Sequence, residues 1–470
     1  MRRGSVPAVA SNQSRLSGEL SQVLAAAVER LGVPGAAVGI YVDGEEHQAC
    51  AGVTSVENPL PVDPSTLFQA GSITKTVTAT VLMRLVEQGR VRLEAPVRAY
   101  VPDFRVRDED ASARVTVLQL LNHTAGWRGD LFLDTGQGDD ALASYVAEMA
   151  RLEQLTPPGT TVSYNNAAYC LAGHLVEHVT GEAYEQAVRD LLLEPLGLHD
   201  SLFGPADVMT RRFAIGHVRR DGRMAVARPW HLPRSAHPAG GIAATAGDQL
   251  RYARFHLGRL ADAGPTPVVT QATLDRMQRP TAEMWGGTLG DRVGIGWFMR
   301  DVSGLEILSH FGDTNGQAAM LQLARAAGFA IVVLTNSTEG AQLRQEVSCW
   351  ALEACLGVVD REAAGPVPDS EALAGYAGVY HLGEDRVTVI VEDGSLVVSA
   401  PILPPTVLTI VSGDAYVVAE GPYRGVSGRF LRDSAGRVSA IDVAGRLARR
   451  DPAGEPPPSS RPTRSGTGAG

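Results

Sequence analysis

The sequence predicts an α+β protein: a large body built on one antiparallel sheet with flanking helices and an inserted helical lobe, followed by a small all-β domain. Three observations predict it. Apolar runs of strand length occur near the start and again after position 293, the sequence between them is mostly of helical spacing, and the C-terminal part alternates over short runs separated by turn pairs. A length of 470 residues exceeds an ordinary single domain, and an apolar content of 44% supplies a core.

In chain order, Leu20, Val23, Leu24, Ala27, Val28 and Leu31 repeat at helical spacing and stop at Gly32. Ala36 to Val42 reads as a strand, and the Asp43-Gly44 turn leads into a second near Glu46 to Val53. Ser72 to Gln88 reads as a helix with Val77, Val81, Leu82, Leu85 and Val86 on its buried side, and Ala167 to Val179 as another, directly after Tyr164-Asn165-Asn166. Strands are expected over Val293 to Met299, Leu305 to Ser309, Gln317 to Leu323 and Phe329 to Thr335, and a helix over Ala341 to Leu356. Strands from both ends of this body would share one sheet, with a cleft between sheet and helical lobe.

Asp, Glu, Gly and Pro then mark a linker. Beyond it lie seven alternating runs: Gly378 to His381, Arg386 to Val391, Leu396 to Ser399, Thr406 to Val411, Ala415 to Ala419, Arg429 to Leu431 and Val438 to Val443. That spacing fits a sandwich or barrel. The expected layout is a body over 15–358, a linker over 359–372, the all-β domain over 373–452 and a disordered tail over 453–470.

A net charge of −10 argues against nucleic-acid and anionic-membrane partners. No apolar stretch reaches the length of a membrane-spanning helix, and the first residues lack a signal peptide's core, so the chain as written reads as cytoplasmic unless a leader was lost from its start. Cys50, Cys170, Cys349 and Cys355 form no metal or redox motif and read as buried reduced thiols.

Lys75 is the only lysine, standing three residues after Ser72; the other 41 of 42 basic side chains are arginine. A guanidinium keeps its proton inside a protein, whereas an ammonium can lose one when buried or placed near positive charge. A single lysine at i+3 from a serine therefore reads as a base beside a nucleophile, with Cβ atoms about 5–6 Å apart on one helix face. The helix N-terminus would also favour negative charge on an attacked carbonyl oxygen.

Phe68-Gln69-Ala70-Gly71-Ser72-Ile73-Thr74-Lys75, Leu120-Leu121-Asn122-His123-Thr124-Ala125-Gly126-Trp127, Tyr164-Asn165-Asn166, Gly240-Gly241-Ile242-Ala243-Ala244-Thr245-Ala246-Gly247-Asp248 and His310-Phe311-Gly312 resemble, in this order, the motifs of the β-lactamase and penicillin-binding-protein superfamily, closest to its class C-like hydrolases and esterases. The resemblance spans roughly Leu20 to Leu356. It implies a β-lactamase/transpeptidase-like fold, Ser72 as acylated nucleophile, Lys75 as proton acceptor, Tyr164 as proton shuttle, and Asn166 as holder of a substrate carbonyl or of the lysine. The backbone N–H groups of Asp313 and Ser72 would form an oxyanion hole, Gly312 allowing the close approach.

His310 stands where the family usually has the lysine of Lys-Thr-Gly. A largely neutral imidazole is a poor grip for a β-lactam or peptide carboxylate, which demotes antibiotic hydrolysis. The resemblance implies no cofactor or metal. It points to a small-molecule or peptide acyl substrate, possibly carried by a carrier protein, and to an esterase or a thioesterase of the penicillin-binding-protein type; the thioesterases carry a lipocalin-like β domain, as generic hydrolases of the family also do, so the sequence does not separate the two. A D,D-peptidase or β-lactamase, or a sensor that acylates without turnover, are the alternatives. His174-Leu175-Val176-Glu177-His178 matches the inverted zinc-hydrolase pattern, but no third ligand is marked, so an exposed helix face with two histidines is the plainer reading.

Overall fold

The computed structural model describes residues 8–260, 267–360, 373–400, 403–420 and 424–452. Two units emerge, Met1–Glu362 and Ala363–Gly470; most of the expected linker and the whole expected tail lie outside the described residues. Among the described residues no helix is long and apolar enough to cross a membrane.

The body begins with a helix, Ala8–Leu31, and the hairpin of β1 (Gly35–Val42) and β2 (Glu45–Gly52). Four short segments follow in the lobe: β3 (Phe68–Gln69), β4 (Ser201–Phe203), the hairpin β5 (His217–Arg220) with β6 (Arg223–Val226), and β7 (Ile242–Ala244). The sheet resumes with β8 (Ala282–Glu283), β9 (Arg292–Val293), β10 (Phe298–Val302), β11 (Leu305–Thr314), β12 (Gln317–Ala324) and β13 (Phe329–Thr335), and the helix Gly340–Leu356 closes the body. The main sheet runs β2-β1-β13-β12-β11-β10-β9-β8, so strands from both ends of the body meet where β1 pairs with β13.

All eight positions of β1 are buried, because helices cover both faces of the sheet. Val38 and Ile40 pack with Leu20, Leu24, Leu343 and Val347 on one face; Ala37 and Tyr41 join Leu250, Val332 and Leu334 on the other. Three expectations need correction. The run Val293 to Met299 is two strands rather than one, because Gly296 takes φ 78° and turns the chain between β9 and β10. The strand expected over Leu305 to Ser309 continues to Thr314, so His310 and Gly312 sit within the sheet. The cysteines are free as expected, yet only Cys170 is fully buried and the others are half-buried.

Among its described residues the second unit holds eight strands, not seven: β14 (Gly378–Leu382), β15 (Asp385–Glu392), β16 (Ser395–Ala400), β17 (Leu403–Ser412), β18 (Ala415–Val418), β19 (Ser427–Arg432), β20 (Val438–Val443) and β21 (Arg446–Arg450). They form a closed barrel, with β21 returning to β14 through Tyr380↔Arg450 and His381↔Arg449. The eighth strand escaped the sequence pattern because three of its five residues are arginine and only Ala448 is buried.

Candidate active site

Pairing of β3 with β7 sets the stage for the site. Residues 68–69 lie against 243–244, and Ala70 N–H donates to Ile242 O at 2.8 Å, so the turn before Ser72 meets the segment ending at Gly241. Ser72 lies in a 3₁₀ turn, Gly71–Ile73, ahead of the α-helix Thr74–Glu87, rather than in that helix's own first turn. Gly71 at φ 54° starts this turn, and Thr74 Oγ1 donates to Gly71 O at 2.7 Å. Three residues per turn stack position i+3 over position i. Lys75 Nζ accordingly lies 2.9 Å from Ser72 Oγ and donates to Ala239 O at 2.7 Å. The lysine side chain is fully buried.

Tyr164 closes one side. Its ring faces Lys75 Nζ at 4.9 Å from the centroid, with the Tyr169 ring at 5.6 Å. His123 builds this wall. It takes a left-handed backbone, φ 59°, that costs a non-glycine residue about 1 kcal/mol. In return its carbonyl accepts from Ser163 N–H at 2.9 Å and its Nδ1 from Asn165 N–H at 3.0 Å, so both neighbours of Tyr164 are tied to one residue. Because Nδ1 accepts, the imidazole's proton is on Nε2. The ring stacks on Tyr164 at 4.6 Å and on Phe298 at 5.5 Å. Asn165 Oδ1 caps the helix Asn166–Thr180 by accepting from Ala168 N–H.

β11 forms the opposite wall. A Cβ on Gly312 would lie 1.9 Å from Ala70 O, so glycine here admits the nucleophile turn itself rather than only a substrate. Thr314 and Gln317 close a two-residue hairpin, and alternation of the ladder from that pair turns Asp313 N–H away from β12. A Cβ on Gly71 would sit 3.0 Å from that nitrogen, and one on Gly312 would sit 3.1 Å from Ser72 N. The two backbone segments that carry the N–H groups expected to form the oxyanion hole therefore lie against each other. The Asp313 side chain lies on the other face, where Arg344 Nη1 and Nη2 donate to its two oxygens at 2.8 and 3.3 Å and Nη1 also reaches Ala319 O at 3.0 Å.

His310 is buried, and removal from water, reinforced by the nearby Lys75 charge, holds its imidazole down at about 3. Nδ1 donates to Phe311 O at 2.8 Å, which leaves Nε2 as a lone-pair acceptor without a hydrogen bond. The ring lies 6.4 Å from that of Tyr164 and 5.2 Å from that of Phe298. Asn166 Nδ2 donates to Asp130 Oδ1 at 2.7 Å, a partner that the sequence reading did not name.

The structure thus brings Ser72, Lys75, Tyr164, His310, Gly312 and Asp313 around one space. Sequence reasoning assigned no role to His123, Ala239 or Asp130. Ala239 acts through its carbonyl, which leaves no side-chain signal, and nothing in the sequence announces a left-handed histidine. His174 is buried rather than exposed, bonded through Nδ1 to Glu177 Oε2 at 2.9 Å, and Glu177 Oε1 accepts from Tyr184 N–H. Among the described residues no cluster of three or more His, Cys, Asp or Glu could hold a metal ion.

Residues 20–354 match the Beta-lactamase family profile. The chain belongs to the β-lactamase family. It is a serine hydrolase of the superfamily that β-lactamases share with penicillin-binding proteins. Penicillin-binding protein 4 of Amycolatopsis lactamdurans is 35% identical over 355 residues, covering 74% of this chain and 93% of that protein. Unguisins hydrolase ungD of Aspergillus violaceofuscus (strain CBS 115571) is 26% identical over 365 residues, 70% of this chain but only 62% of that protein. Among solved structures, the crystal structure of SurE aligns with TM-score 0.75 and 26% identity over 93% of this chain and 99% of that one. A class C β-lactamase aligns with TM-score 0.64 at 21% identity over 76% and 99%, a likeness of fold.

Proposed function

We propose that this β-lactamase-family protein transfers the acyl group of a peptide-like ester or thioester through Ser72, as penicillin-binding-protein-type thioesterases do, releasing or cyclising the peptide. Lys75, with Tyr164 as shuttle, takes the Ser72 proton as Oγ attacks the carbonyl. The oxyanion forms between Ser72 N–H and Asp313 N–H, and the leaving thiol or alcohol departs with a proton from Tyr164 or Lys75. Water or an amine then attacks the acyl-Ser72 carbonyl, giving an acid or an amide. Asn166, beside Tyr164, positions the acyl group from the lobe side, and His310 offers Nε2 to a donor on the substrate.

One observation carries this reading: a fully buried lysine 2.9 Å from a serine hydroxyl, facing a histidine that is uncharged at working pH. The site activates the serine while offering a neutral ring where a carboxylate-binding cation would stand. The alignment with SurE, which runs through both units, and the structure of SurE with D-Leu support a site that takes a D-amino-acid residue of the substrate. The penicillin-binding name of the 35% identical relative favours a second reading, D,D-peptidase-type amide chemistry.

The test is intact-mass analysis with N-acetylcysteamine thioesters of peptides ending in D-Leu or L-Leu, a simple p-nitrophenyl ester and a β-lactam, with Lys75→Arg as control. Transient acyl-Ser72 with faster turnover of the D-Leu thioester supports the first reading. A long-lived β-lactam adduct without thioester turnover replaces it by the second, and stoichiometric labelling by every acyl donor without turnover makes the chain a sensor.

A further inference from the structure

A neutral amine has one lone pair and two N–H bonds, so Lys75 can take the Ser72 proton only while its N–H bonds are directed elsewhere. The Ala239 carbonyl at 2.7 Å accepts one of them. Where that oxygen sits limits where the lone pair can point. Ala239 belongs to the four-residue helical turn His237–Gly240, and two sets of contacts fix this turn. On the nucleophile side, Thr78 Oγ1 donates to Pro238 O at 2.7 Å and pairs with Tyr184 O–H at 2.7 Å. Thr78 lies one turn along the helix from Lys75, so the amine and its carbonyl partner are held by the same helix.

The other anchor is ionic. His237 Nδ1 donates to Glu185 Oε1 at 2.6 Å, and Arg234 Nη2 donates to Glu185 Oε2 at 3.1 Å. Arg234 also donates to Gln137 O and Asp139 Oδ1, each at 2.8 Å, tying in the neighbouring loop. Burial pushes the Glu185 carboxyl up, but the hydrogen bonds from His237 and Arg234 outweigh it and hold it at about 2. It is therefore an anion throughout the working range. A part-buried anion with two donors is costly to displace, which makes it a fixed point for the turn.

We propose that Glu185 is a positioning residue for acylation: through His237 it holds the Ala239 carbonyl on Lys75 and thereby directs the amine's lone pair at Ser72. The inference rests on Lys75 being the proton acceptor, as read above. Glu185 exchanges no proton; one proton passes from Ser72 Oγ to Lys75 Nζ as the Oγ–C bond forms. The groups facing Lys75 from the other elements include the Tyr164 and Tyr169 rings, the buried Cys170 thiol and His310. None of these belongs to the anchor.

The experiment is the burst of p-nitrophenol from p-nitrophenyl acetate, followed from low to high pH for the full chain, Glu185→Ala and Glu185→Gln, with the thermal unfolding of each. In Glu185→Ala the acylation rate constant falls roughly 10- to 100-fold with little change in the ester concentration at half-saturation. The acid limb of its profile moves to lower pH, because a carbonyl acceptor supports an ammonium more than an amine. Glu185→Gln, which keeps an acceptor for His237, recovers most of the rate. A normal rate in Glu185→Ala overturns the proposal, and so does a loss that leaves the acid limb in place and follows the unfolded fraction at the assay temperature. A wild-type chain that gives neither burst nor Ser72 adduct is a different failure: it removes the reading of Ser72 and this inference with it.

Discussion

Around Ser72 the body buries side chains that hydrogen-bond, with Lys75, His310 and the threonines 74 and 78 at no more than 1% exposure, whereas the barrel interior is filled with rings. There Phe430 packs against Tyr376, Tyr416 and Tyr380 with centroids 4.8, 5.7 and 6.2 Å away, inside a shell of Val387, Val389, Leu396, Leu408 and Ile410. The tyrosine hydroxyls are satisfied locally, Tyr380 on Tyr376 O and Tyr416 on Asp442 O. The body spends buried volume on groups that hold a geometry; the barrel spends it on apolar area. Disturbing the first should cost rate before stability, and disturbing the second should cost stability before rate.

The sharpest test of that contrast is Lys75→Arg. A guanidinium cannot accept the serine proton, so the burst rate should fall by roughly 10³-fold or more while the fold persists, measured by stopped-flow beside circular dichroism. Phe430→Ala is its counterpart. It should destabilise the barrel by about 3–5 kcal/mol in hydrogen exchange, with the Ser72 burst rate retained; a large loss of rate would break the comparison. Gly312→Ala lies between the two. The added Cβ must push Ala70 O away, so the body should lose about 2–3 kcal/mol in urea and most of its acylation activity together.

The smallest effect is graded with pH and has opposite signs in the two units. In the body, burial holds His310 and His256 at about 3, against about 6.5 when unfolded. Between those values the unfolded chain binds more protons, so the body loses stability as pH falls from about 6.5 toward 3, by at most about 1.4 kcal/mol per unit for each histidine. Asp248, which burial raises to about 6, works against this with a single group. In the barrel, burial raises Asp442 to about 7. There the folded state binds the extra proton, and stability rises as pH falls from about 7 to about 4. All five tryptophans lie between Trp127 and Trp350, so their fluorescence follows the body alone, and exchange of barrel amides follows the other unit. Parallel trends would sink the contrast.

The parts that could be read from the chain are those in which side chains carry the information. Ser72 and Lys75 were legible from spacing and from the rarity of lysine, Tyr164 and His310 from their motifs, β1 and β13 from near-continuous apolar runs, and β12 from an apolar run broken only by Gln322. The rest depends on backbone. β21 lacks apolar alternation, Gly296 breaks a run that reads as continuous, the Ala239 carbonyl has no residue code, and the left-handed His123 is imposed by its tertiary hydrogen bonds. Asn166 shows the limit within a motif, since its partner Asp130 lies 36 positions away in the chain.

A sole lysine at 0% exposure also makes the chain a self-contained unfolding sensor. Apart from a free chain terminus, an amine-directed acylating reagent or a lysine-specific protease has one target, and it is closed in the native state. Each labelling event or single cut therefore counts one molecule in which the helix Thr74–Glu87 has opened, with no engineered tag required.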